Sequence, residues 1–256
     1  MFDISAFSLQ GKKAIVTGGT RGLGRQIAEA YHNMGADVVI WGRRPEGAQT
    51  AASMDGPRNR VYFVCGDISR ADQMDAMLAQ SLKYLDGRVD ILVNAAGIQY
   101  RAPAADFPQE AWDQVIAVNL SAVFRLSQKV GRQMCGQKKG RIINIASMCS
   151  FFGSVQIPAY TASKGGVMQL TRALSNEWAG CGVTVNAIAP GYMQTVLTAD
   201  IQRNNPAQYE MITSRIPKGR WGRPEDIQGL SVFLASDASE YLTGAIIPLD
   251  GGYLGY

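Results

Sequence analysis

Residues 14–24 read AIVTGGTRGLG, a short apolar run that passes directly into a turn with four glycines. An amphipathic helical pattern follows over residues 23–34, so strand, turn and helix succeed one another without a break. Glycine permits positive φ values and lets the backbone approach a ligand closely. The first helical turn offers unpaired N–H groups and a positive dipole end. The stretch therefore predicts a dinucleotide-binding turn; the alternative is a merely tight connection.

Apolar runs rich in Val and Ile recur along the chain and are typical of buried strands. Strands are predicted at residues 14–16, 38–40, 61–64, 91–93, 142–145, 183–188 and 245–249. Amphipathic helices are predicted at residues 23–34, 73–84, 112–134, 162–178 and 225–234. This alternation predicts an α/β fold, a Rossmann-type doubly wound parallel sheet of seven strands with helices on both faces.

The chain has no Ser/Gly linker or low-complexity segment, which predicts a single domain over residues 1–256. The one long irregular interval is predicted at residues 190–217. Intervals of that length in compact domains are often lids, so we expect this one to cover the substrate.

Composition excludes several classes of function. Hydrophobic residues make up 46% and charged residues 18% of the chain, a mixture typical of folded globular proteins. The net charge of +4 comes from scattered Lys and Arg, which argues against nucleic acid or a membrane surface as partner. No leader pattern is visible, and no apolar run approaches the roughly 20 residues of a membrane span. We therefore expect a cytoplasmic protein with a small-molecule substrate.

The cysteines and the single histidine give no sign of metal or nucleophilic chemistry. Cys65, Cys135, Cys149 and Cys181 form no CxxC pair, which predicts four separate reduced thiols and no metal site. His32 is the only histidine and lies in a predicted helix. A Ser-His or Cys-His nucleophile is therefore unfavourable.

A tyrosine and a lysine four residues apart suggest acid–base chemistry. Tyr160 and Lys164 share one face of a predicted helix. Reducing a ketone by hydride transfer places negative charge on oxygen, which needs a proton donor. A tyrosine has an ordinary pKa of about 10, and a neighbouring ammonium is expected to lower that pKa. Ser147 follows the fifth strand, at the ligand-binding edge of such sheets, and can orient the substrate oxygen. Taken alone, a Tyr-x-x-x-Lys pair is usually an ordinary surface pair, and the other motifs decide for catalysis.

The end of the second strand bears on the cofactor. Gly42 stands where an NAD-specific site would carry an acidic residue for the ribose 2′-hydroxyl. Arg43 beside it, and Arg21 in the glycine turn, can donate charge-assisted hydrogen bonds to a 2′-phosphate. The pattern favours NADP(H) and leaves NAD(H) open; the alternative is a pair of solvated arginines.

These motifs together resemble the short-chain dehydrogenase/reductase family over essentially the whole chain. The marks are the GxxxGxG turn, Asn94-Ala95-Ala96-Gly97, Asn119, Ser147, Tyr160 with Lys164, and Pro190-Gly191. The resemblance implies that Tyr160 is the general acid/base and that Lys164 also holds the nicotinamide ribose. Asn119 would connect Lys164 to solvent through its backbone carbonyl and a water.

The resemblance also implies a cofactor site around the glycine turn. Asp67 would approach the adenine, and Thr195 would touch the nicotinamide amide or a phosphate. The residues expected to bind the cofactor are Gly18, Thr20, Arg21, Gly22, Leu23, Gly24, Arg43, Asp67, Ile68, Asn94, Gly97, Tyr160, Lys164, Pro190, Gly191, Met193 and Thr195.

Four further segments are similar to the sugar-acid branch of that family. They lie at residues 144–148, 176–179, 186–193 and 215–222, and resemble 2-deoxy-D-gluconate, 2-dehydro-3-deoxy-D-gluconate and gluconate 5-dehydrogenases. Such substrates carry a carboxylate, which Arg101 can clamp. The expected substrate residues are Arg101, Ser147, Gln156, Tyr160 and Tyr192, with Lys218 nearby. The Gly42-Arg43 pair departs from NAD-only members of this branch.

The resemblance implies a homotetramer with 222 symmetry, with helices 112–134 and 162–178 packed across one interface and the last strand across another. The aromatic segment 250–256 is a candidate to reach a neighbouring site. Two other functions remain open at this point. One is 3-oxoacyl thioester reduction, and the other is a non-catalytic NADPH sensor or scaffold. The direction of reaction is also open.

Overall fold

Parallel strands form one sheet in the computed structural model, which describes residues 3–57, 59–195 and 198–255 apart from the side chains of Asp200 and Gln202. The described strands are β1 (Lys13–Thr17), β2 (Asp37–Gly42), β3 (Val61–Cys65), β4 (Ile91–Asn94), β5 (Gly140–Ile145), β6 (Val183–Pro190) and β7 (Ile246–Leu249). Their order across the sheet is β3-β2-β1-β4-β5-β6-β7. All seven predicted strands and the predicted fold class are confirmed.

The central strands are buried on both faces, which explains their continuous apolar runs. Successive side chains of a strand point to opposite faces. In β1, Ala14 and Val16 belong to one core cluster and Ile15 to the other, and none of the three is exposed. The sheet therefore separates two hydrophobic cores.

Helices cover both of these cores. The described α-helices are α1 (Gly22–Asn33), α2 (Gly47–Met54), α3 (Ala71–Tyr84), α4 (Gln109–Ile116), α5 (Ala122–Gln137), α6 (Pro158–Trp178), α7 (Ala199–Asn204), α8 (Pro206–Ser214) and α9 (Gln228–Ala235). Buried side chains of α1, α2 and α9 pack on one face of the sheet, and those of α3, α5 and α6 pack on the other.

The structure interrupts one predicted helix and adds one that was not predicted. The helix predicted over residues 112–134 is interrupted by a wider, π-type turn at Ala117–Ser121, which separates α4 from α5. Such turns often occur at functional sites. The short helix α2 was not predicted, because its eight residues are too few for a clear helical periodicity.

The expectation of an irregular interval at residues 190–217 is also wrong. It contains α7 and α8. The start of α8 had a sequence signal, since the side chain of Asn205 accepts from the backbone N–H of Gln208 and Pro206 occupies the first turn. Val196 and Leu197 lie outside the described residues.

The strand order creates a crevice at the carboxyl edge of the sheet. β1 pairs with β2 on one side and with β4 on the other, so the connection after β1 runs to one side of the sheet and the connection after β4 runs to the other. Open α/β sheets bind ligands at this kind of topological switch point. The glycine turn between β1 and α1 lies there.

The four cysteines are free. Cys135 and Cys181 nevertheless share a hydrogen bond that, after burial, is the second cause raising the pKa of Cys135 to about 11. Cys135 lies near the end of α5, before β5, and Cys181 lies just before β6, so the two free thiols are neighbours without a covalent link. Within the described residues, no helix has the length and apolar character to cross a bilayer, and no group of three or more His, Cys, Asp or Glu side chains could hold a metal ion.

Candidate active site

A cavity of about 520 Å³ opens at the carboxyl edge of the sheet. Its wall combines the glycine turn with the ends of β2 to β6 and the start of α6. Every residue predicted to bind the cofactor lines it except Asn94. These residues are Gly18, Thr20, Arg21, Gly22, Leu23, Gly24, Arg43, Asp67, Ile68, Gly97, Tyr160, Lys164, Pro190, Gly191, Met193 and Thr195.

The geometry of the glycine turn fits a pyrophosphate. Gly18 has φ +67°, and a Cβ atom there would lie 2.8 Å from the Cα atom of Ala96, so only glycine allows this close approach. Gly22 has φ +55° at the first position of α1. The Arg21 side chain makes no capping hydrogen bond at this helix end. The first N–H groups of α1 therefore remain available to an anion in the cavity.

The cavity also fits a 2′-phosphate at the end of β2. A Cβ atom on Gly42 would lie 2.6 Å from Cγ2 of Thr20, so an acidic side chain at this position would require Thr20 to shift. Arg43 is exposed and lines the cavity. Burial tends to raise the pKa of Asp67, but hydrogen bonds from Ser69 and the charge of Arg43 outweigh it and leave that pKa low. Arg43 and Asp67 therefore face the same end of the cavity.

Asn94 lies behind the cavity wall, and the prediction that it supports the cofactor directly is corrected. Its side-chain amide donates to Oδ1 of Asn144 at 2.8 Å and to Oγ of Ser127 at 3.1 Å. Thr17, paired with Asn94 in the sheet, accepts hydrogen bonds from the N–H groups of Ala95 and Ala96, both at 3.1 Å. This buried network fixes the backbone of the Ala95–Gly97 loop, and that loop forms the wall.

Ser147, Tyr160 and Lys164 meet at the centre of the cavity. Nζ of Lys164 donates to the carbonyl oxygen of Ile145 at 2.6 Å and lies 5.7 Å from the centroid of the Tyr160 ring. The hydroxyl of Ser147 forms a hydrogen bond with the phenol of Tyr160. The predicted catalytic group is therefore brought together, with Ser147 at the end of β5 and the other two residues on the first turns of α6.

Burial controls the acid–base behaviour of this group. Loss of hydration raises the pKa of Tyr160 to about 12, although the Ser147 hydrogen bond opposes the rise. The same cause lowers the pKa of Lys164 to about 8. The pKa of Tyr160 is therefore raised rather than lowered as expected from the neighbouring Lys164, and the main cause is desolvation of the phenol.

Asn119 lies in the π-type turn and connects the loop after β4 to α6. Its Oδ1 accepts from the N–H of Ile98 at 2.9 Å, and its Nδ2 donates to the carbonyl of Ile98 at 2.9 Å and to Oγ of Ser163 at 3.2 Å. The residue is fully buried and does not line the cavity. Its side chain thus fixes the catalytic helix against that loop, and the proton-relay role of its carbonyl stays a prediction.

The substrate residues predicted from the sequence separate into two groups. Arg101 and Tyr192 line the cavity with Ser147 and Tyr160. Gln156 does not line it, which corrects that prediction. Its backbone has φ +63°, and its carbonyl accepts from the N–H of Ala102 at 3.0 Å, so it holds the loop that carries Arg101.

Lys218 lies in a separate hollow of about 190 Å³, where Arg220 pairs with Asp226. Lys218 is not one of the described residues that line the main cavity. Several residues that do line the cavity were not predicted, most notably Gln99, Met148, Cys149, Ser154, Thr198 and Ile201. Gln99 stands two residues before Arg101, and Cys149 two residues after Ser147, so spacing from the predicted residues was the available signal.

One Rossmann-type sheet carries a glycine turn that fits a phosphate, two arginines that line the cavity, and a Ser-Tyr-Lys group at the cavity centre. These features define a nicotinamide-dependent oxidoreductase. The chain matches the family model described as "Enoyl-(Acyl carrier protein) reductase" over residues 18–254. It belongs to the short-chain dehydrogenase/reductase family, as the sequence motifs predicted, and is an enzyme of that family.

The chain is also similar to individual enzymes of this family. A 2-dehydro-3-deoxy-D-gluconate 5-dehydrogenase from Bacillus subtilis (strain 168) is 44% identical over 249 residues, which cover 97% of each chain. An enzyme of the same name from Pseudoalteromonas atlantica is 43% identical over 262 residues, covering 98% of this chain and 99% of the relative. The crystal structure of a gluconate 5-dehydrogenase from Burkholderia cenocepacia J2315, in complex with NADP and tartrate, is 35% identical. It superposes with a TM-score of 0.93 and covers 98% of each chain.

Proposed function

We propose that this enzyme interconverts a secondary alcohol and a ketone on a sugar acid, such as 2-dehydro-3-deoxy-gluconate or gluconate, with NADP(H) as the favoured cofactor. The carrying observation is that Arg101 lines the same cavity as Ser147 and Tyr160. The names of the similar enzymes and the NADP in the related crystal structure support the substrate class and the cofactor.

Tyr160, Ser147 and Lys164 have different roles in the proposed reaction. A bound nicotinamide would supply or accept the hydride. Tyr160, with a pKa of about 12, is protonated at neutral pH and can donate its proton to the substrate oxygen during reduction. Ser147 orients that oxygen through its hydroxyl. Lys164 holds its ammonium beside the phenol and the Ile145 carbonyl. A positive charge there stabilises the phenolate that remains after proton transfer.

Arg101 supplies a positive charge that can pair with the carboxylate of a sugar acid. Burial raises the pKa of Cys149, and a hydrogen bond with Ser147 and the charge of Arg101 oppose that rise. Arg101 lines the same cavity as Cys149, Ser147 and Tyr160. Its planar fork of donors matches a carboxylate.

A substrate panel tests the proposal. Keto- and hydroxy-sugar acids, a neutral ketone and a 3-oxoacyl thioester are assayed with NADP(H) and with NAD(H), on the wild-type protein and on Tyr160→Phe. We expect turnover of sugar acids with NADP(H) and a loss of at least about a hundredfold in kcat in the variant, since the proton donor is removed. NADPH binding followed by fluorescence is the control for folding. Equal rates in the two proteins would refute the assignment of Tyr160.

The same panel separates the alternatives. Activity on the acyl thioester but not on sugar acids would select 3-oxoacyl thioester reduction, which the description of the matched family makes the second candidate. Unchanged NADPH absorbance across the whole panel would favour a non-catalytic sensor or scaffold. The panel also shows which direction of reaction the enzyme catalyses faster.

We further infer that residues 1–256 form one domain in which α7 and α8 help to cover the substrate. Ile201 of α7 lines the cavity, and Ile212 and Trp221 belong to the same cluster of buried side chains as Met148. A homotetramer is proposed from the family resemblance, with α4, α5 and α6 at an interface. The 42% exposed side chain of Phe124 on α5 supports it, and the molar mass in solution tests it. The cytoplasm remains the proposed location, which cell fractionation would test.

A further inference from the structure

The segment after β4 lines the cavity continuously from Ala95 to Gln99 and again at Arg101. Gln99 and Arg101 both line it, whereas Tyr100 between them packs edge-on against Phe107, with ring centroids 5.5 Å apart. Gln99 and Arg101 therefore form a pair beside the catalytic group.

The amide of Gln99 contacts one edge of the Arg101 guanidinium. In the orientation in which the amide oxygen faces the guanidinium, it accepts from Nε at 3.1 Å and from Nη2 at 3.2 Å. A guanidinium has five N–H donors in a rigid fork. The Nη1 hydrogens and the second Nη2 hydrogen are not used by this contact. They form the outer edge of the fork, which can receive a carboxylate with two parallel hydrogen bonds.

The pair leaves the positive charge of Arg101 uncompensated. Glutamine is neutral, and no ion pair links Arg101 to a carboxylate among the described residues. Of the described residues that line the cavity, Asp67 is the only acid, and it faces Arg43. A carboxylate bound at the catalytic end would therefore meet Arg101 without a competing anion.

The backbone that carries the pair is anchored on both sides. Before it, Ile98 exchanges two hydrogen bonds with the side chain of Asn119. After it, the N–H of Ala102 donates to the carbonyl of Gln156 at 3.0 Å. Anchors on both sides limit the movement of the backbone that carries Arg101, and such preorganisation reduces the entropic cost of binding.

We propose that Gln99 is a positioning residue that occupies the Nε edge of Arg101 and presents the outer Nη edge to the substrate carboxylate. This inference rests on the proposed function and specifies how the site selects acids over neutral keto compounds. Gln99 orients the fork without neutralising its charge, which an acidic residue at the same position would do.

The Gln99→Glu substitution tests this because it preserves size while placing a negative charge on the guanidinium. We expect the KM for the sugar acid to rise at least about tenfold, since a charge-assisted pair is lost to an internal competitor. The rise in KM for the sugar acid should exceed any change in kcat/KM on a neutral ketone at least about tenfold, because the neutral substrate has no carboxylate to pair with Arg101. Gln99→Leu should raise the KM for the acid less, because the charge remains and only its orientation is lost.

Two controls keep the result specific. Gln80→Glu makes the same charge change on the exposed face of α3, away from the cavity, and should alter nothing. In an Arg101→Met background, Gln99→Glu should have no further effect on the KM for the acid, because the two residues act as one unit. A purely structural role for Gln99 would instead change the neutral ketone and the acid alike.

Inhibition by tartrate separates this inference from the proposed function. Tartrate serves as a simple hydroxycarboxylate competing with the neutral ketone in the wild-type protein and in Gln99→Glu. If no sugar acid is turned over but tartrate inhibition weakens at least about tenfold in the variant, the proposed substrate fails and the role of Gln99 stands. If both the KM for acids and the tartrate inhibition are the same in the two proteins, the role of Gln99 is overturned.

Discussion

The proposed preference for NADP(H) and the proposed proton transfer each depend on single residues. An acidic side chain in place of Gly42 would crowd Thr20 at the ribose end of the cavity. Arg43 is the next residue and lines the cavity. Tyr160 and Lys164 have pKa values displaced in opposite directions by the same burial. Each of these effects comes from one side chain and its immediate surroundings, so substitutions of single residues can test them.

Arg43→Ala should reduce the preference for NADPH. Charge-assisted hydrogen bonds contribute about 1.5–3 kcal/mol, so we expect the KM for NADPH to rise about tenfold to a hundredfold. The KM for NADH should stay within about twofold, because NADH lacks the 2′-phosphate that Arg43 would bind. Steady-state kinetics with both cofactors measure this.

Arg44→Ala is the matched control, because Arg44 is exposed on the same turn and does not line the cavity. An equal effect of the two substitutions on NADPH would show that general positive charge, rather than a contact of Arg43, attracts the cofactor.

Lys164→Met should change how stability depends on pH. The lysine releases its proton at a pKa of about 8 in the folded protein and near 10.5 in the unfolded chain. Between these values the unfolded chain binds more protons, so the stability of the wild-type protein rises with pH. The variant lacks this titration. Its free energy of unfolding, relative to the wild type, should therefore fall by up to about 3 kcal/mol between pH 8 and pH 10.5.

Urea unfolding of both proteins across that range provides the measurement. The comparison cancels the titration of all other groups, including Tyr160, whose raised pKa lowers the stability only above its ordinary value near 10. A stability difference that stays constant with pH would contradict the lowered pKa of Lys164.

At the level of elements, the π-type turn between α4 and α5 is the connection that assembles the site. It places the Asn119 side chain where it contacts both the loop after β4 and Ser163 on α6. The loop carries Gln99 and Arg101, and α6 carries Tyr160 and Lys164. A single buried amide thus links the substrate-binding segment to the catalytic helix.

Asn119→Ala should weaken that link. The N–H and the carbonyl of Ile98 would lose their side-chain partner. Unsatisfied buried groups cost about 1–3 kcal/mol, so the free energy of unfolding should fall by about that amount. The KM for the substrate should rise as well, because the segment with Arg101 is no longer anchored.

Urea unfolding and steady-state kinetics check both effects. Asn176→Ala, on the exposed face of α6, is the control and should leave stability and KM unchanged. Wild-type stability in the Asn119→Ala protein would show that the amide is dispensable to the assembly of the site.

Over the whole molecule, the parallel sheet gathers distant parts of the chain at one edge. The turn at Gly18, the loop at Gly97, the strand end at Ser147 and the segment at Gly191 come from four different strands and line one cavity. Because all the strands are parallel, their carboxyl ends lie at the same edge, and the change of direction in strand order between β1 and β4 opens the crevice there.

The sequence alone determined the sheet, its strands and the glycine turn. Apolar runs and glycine requirements are local properties, so residues 14–24 and the seven apolar runs predicted their own structure. The grouping of Ser147, Tyr160 and Lys164 in one cavity was also predicted, since one turn of helix and one strand end are enough to place these side chains.

Only the tertiary structure decided which side chains reach the cavity and how they titrate. The side chain of Asn94 donates a hydrogen bond to Asn144 behind the cavity wall, and the backbone carbonyl of Gln156 accepts one from Ala102. Neither contact follows from the local sequence, because both partners come from distant segments. The pKa values of Tyr160 and Lys164 depend on how completely water is excluded around them. Exclusion of water is a property of packing in three dimensions, and no spacing along the chain encodes its extent.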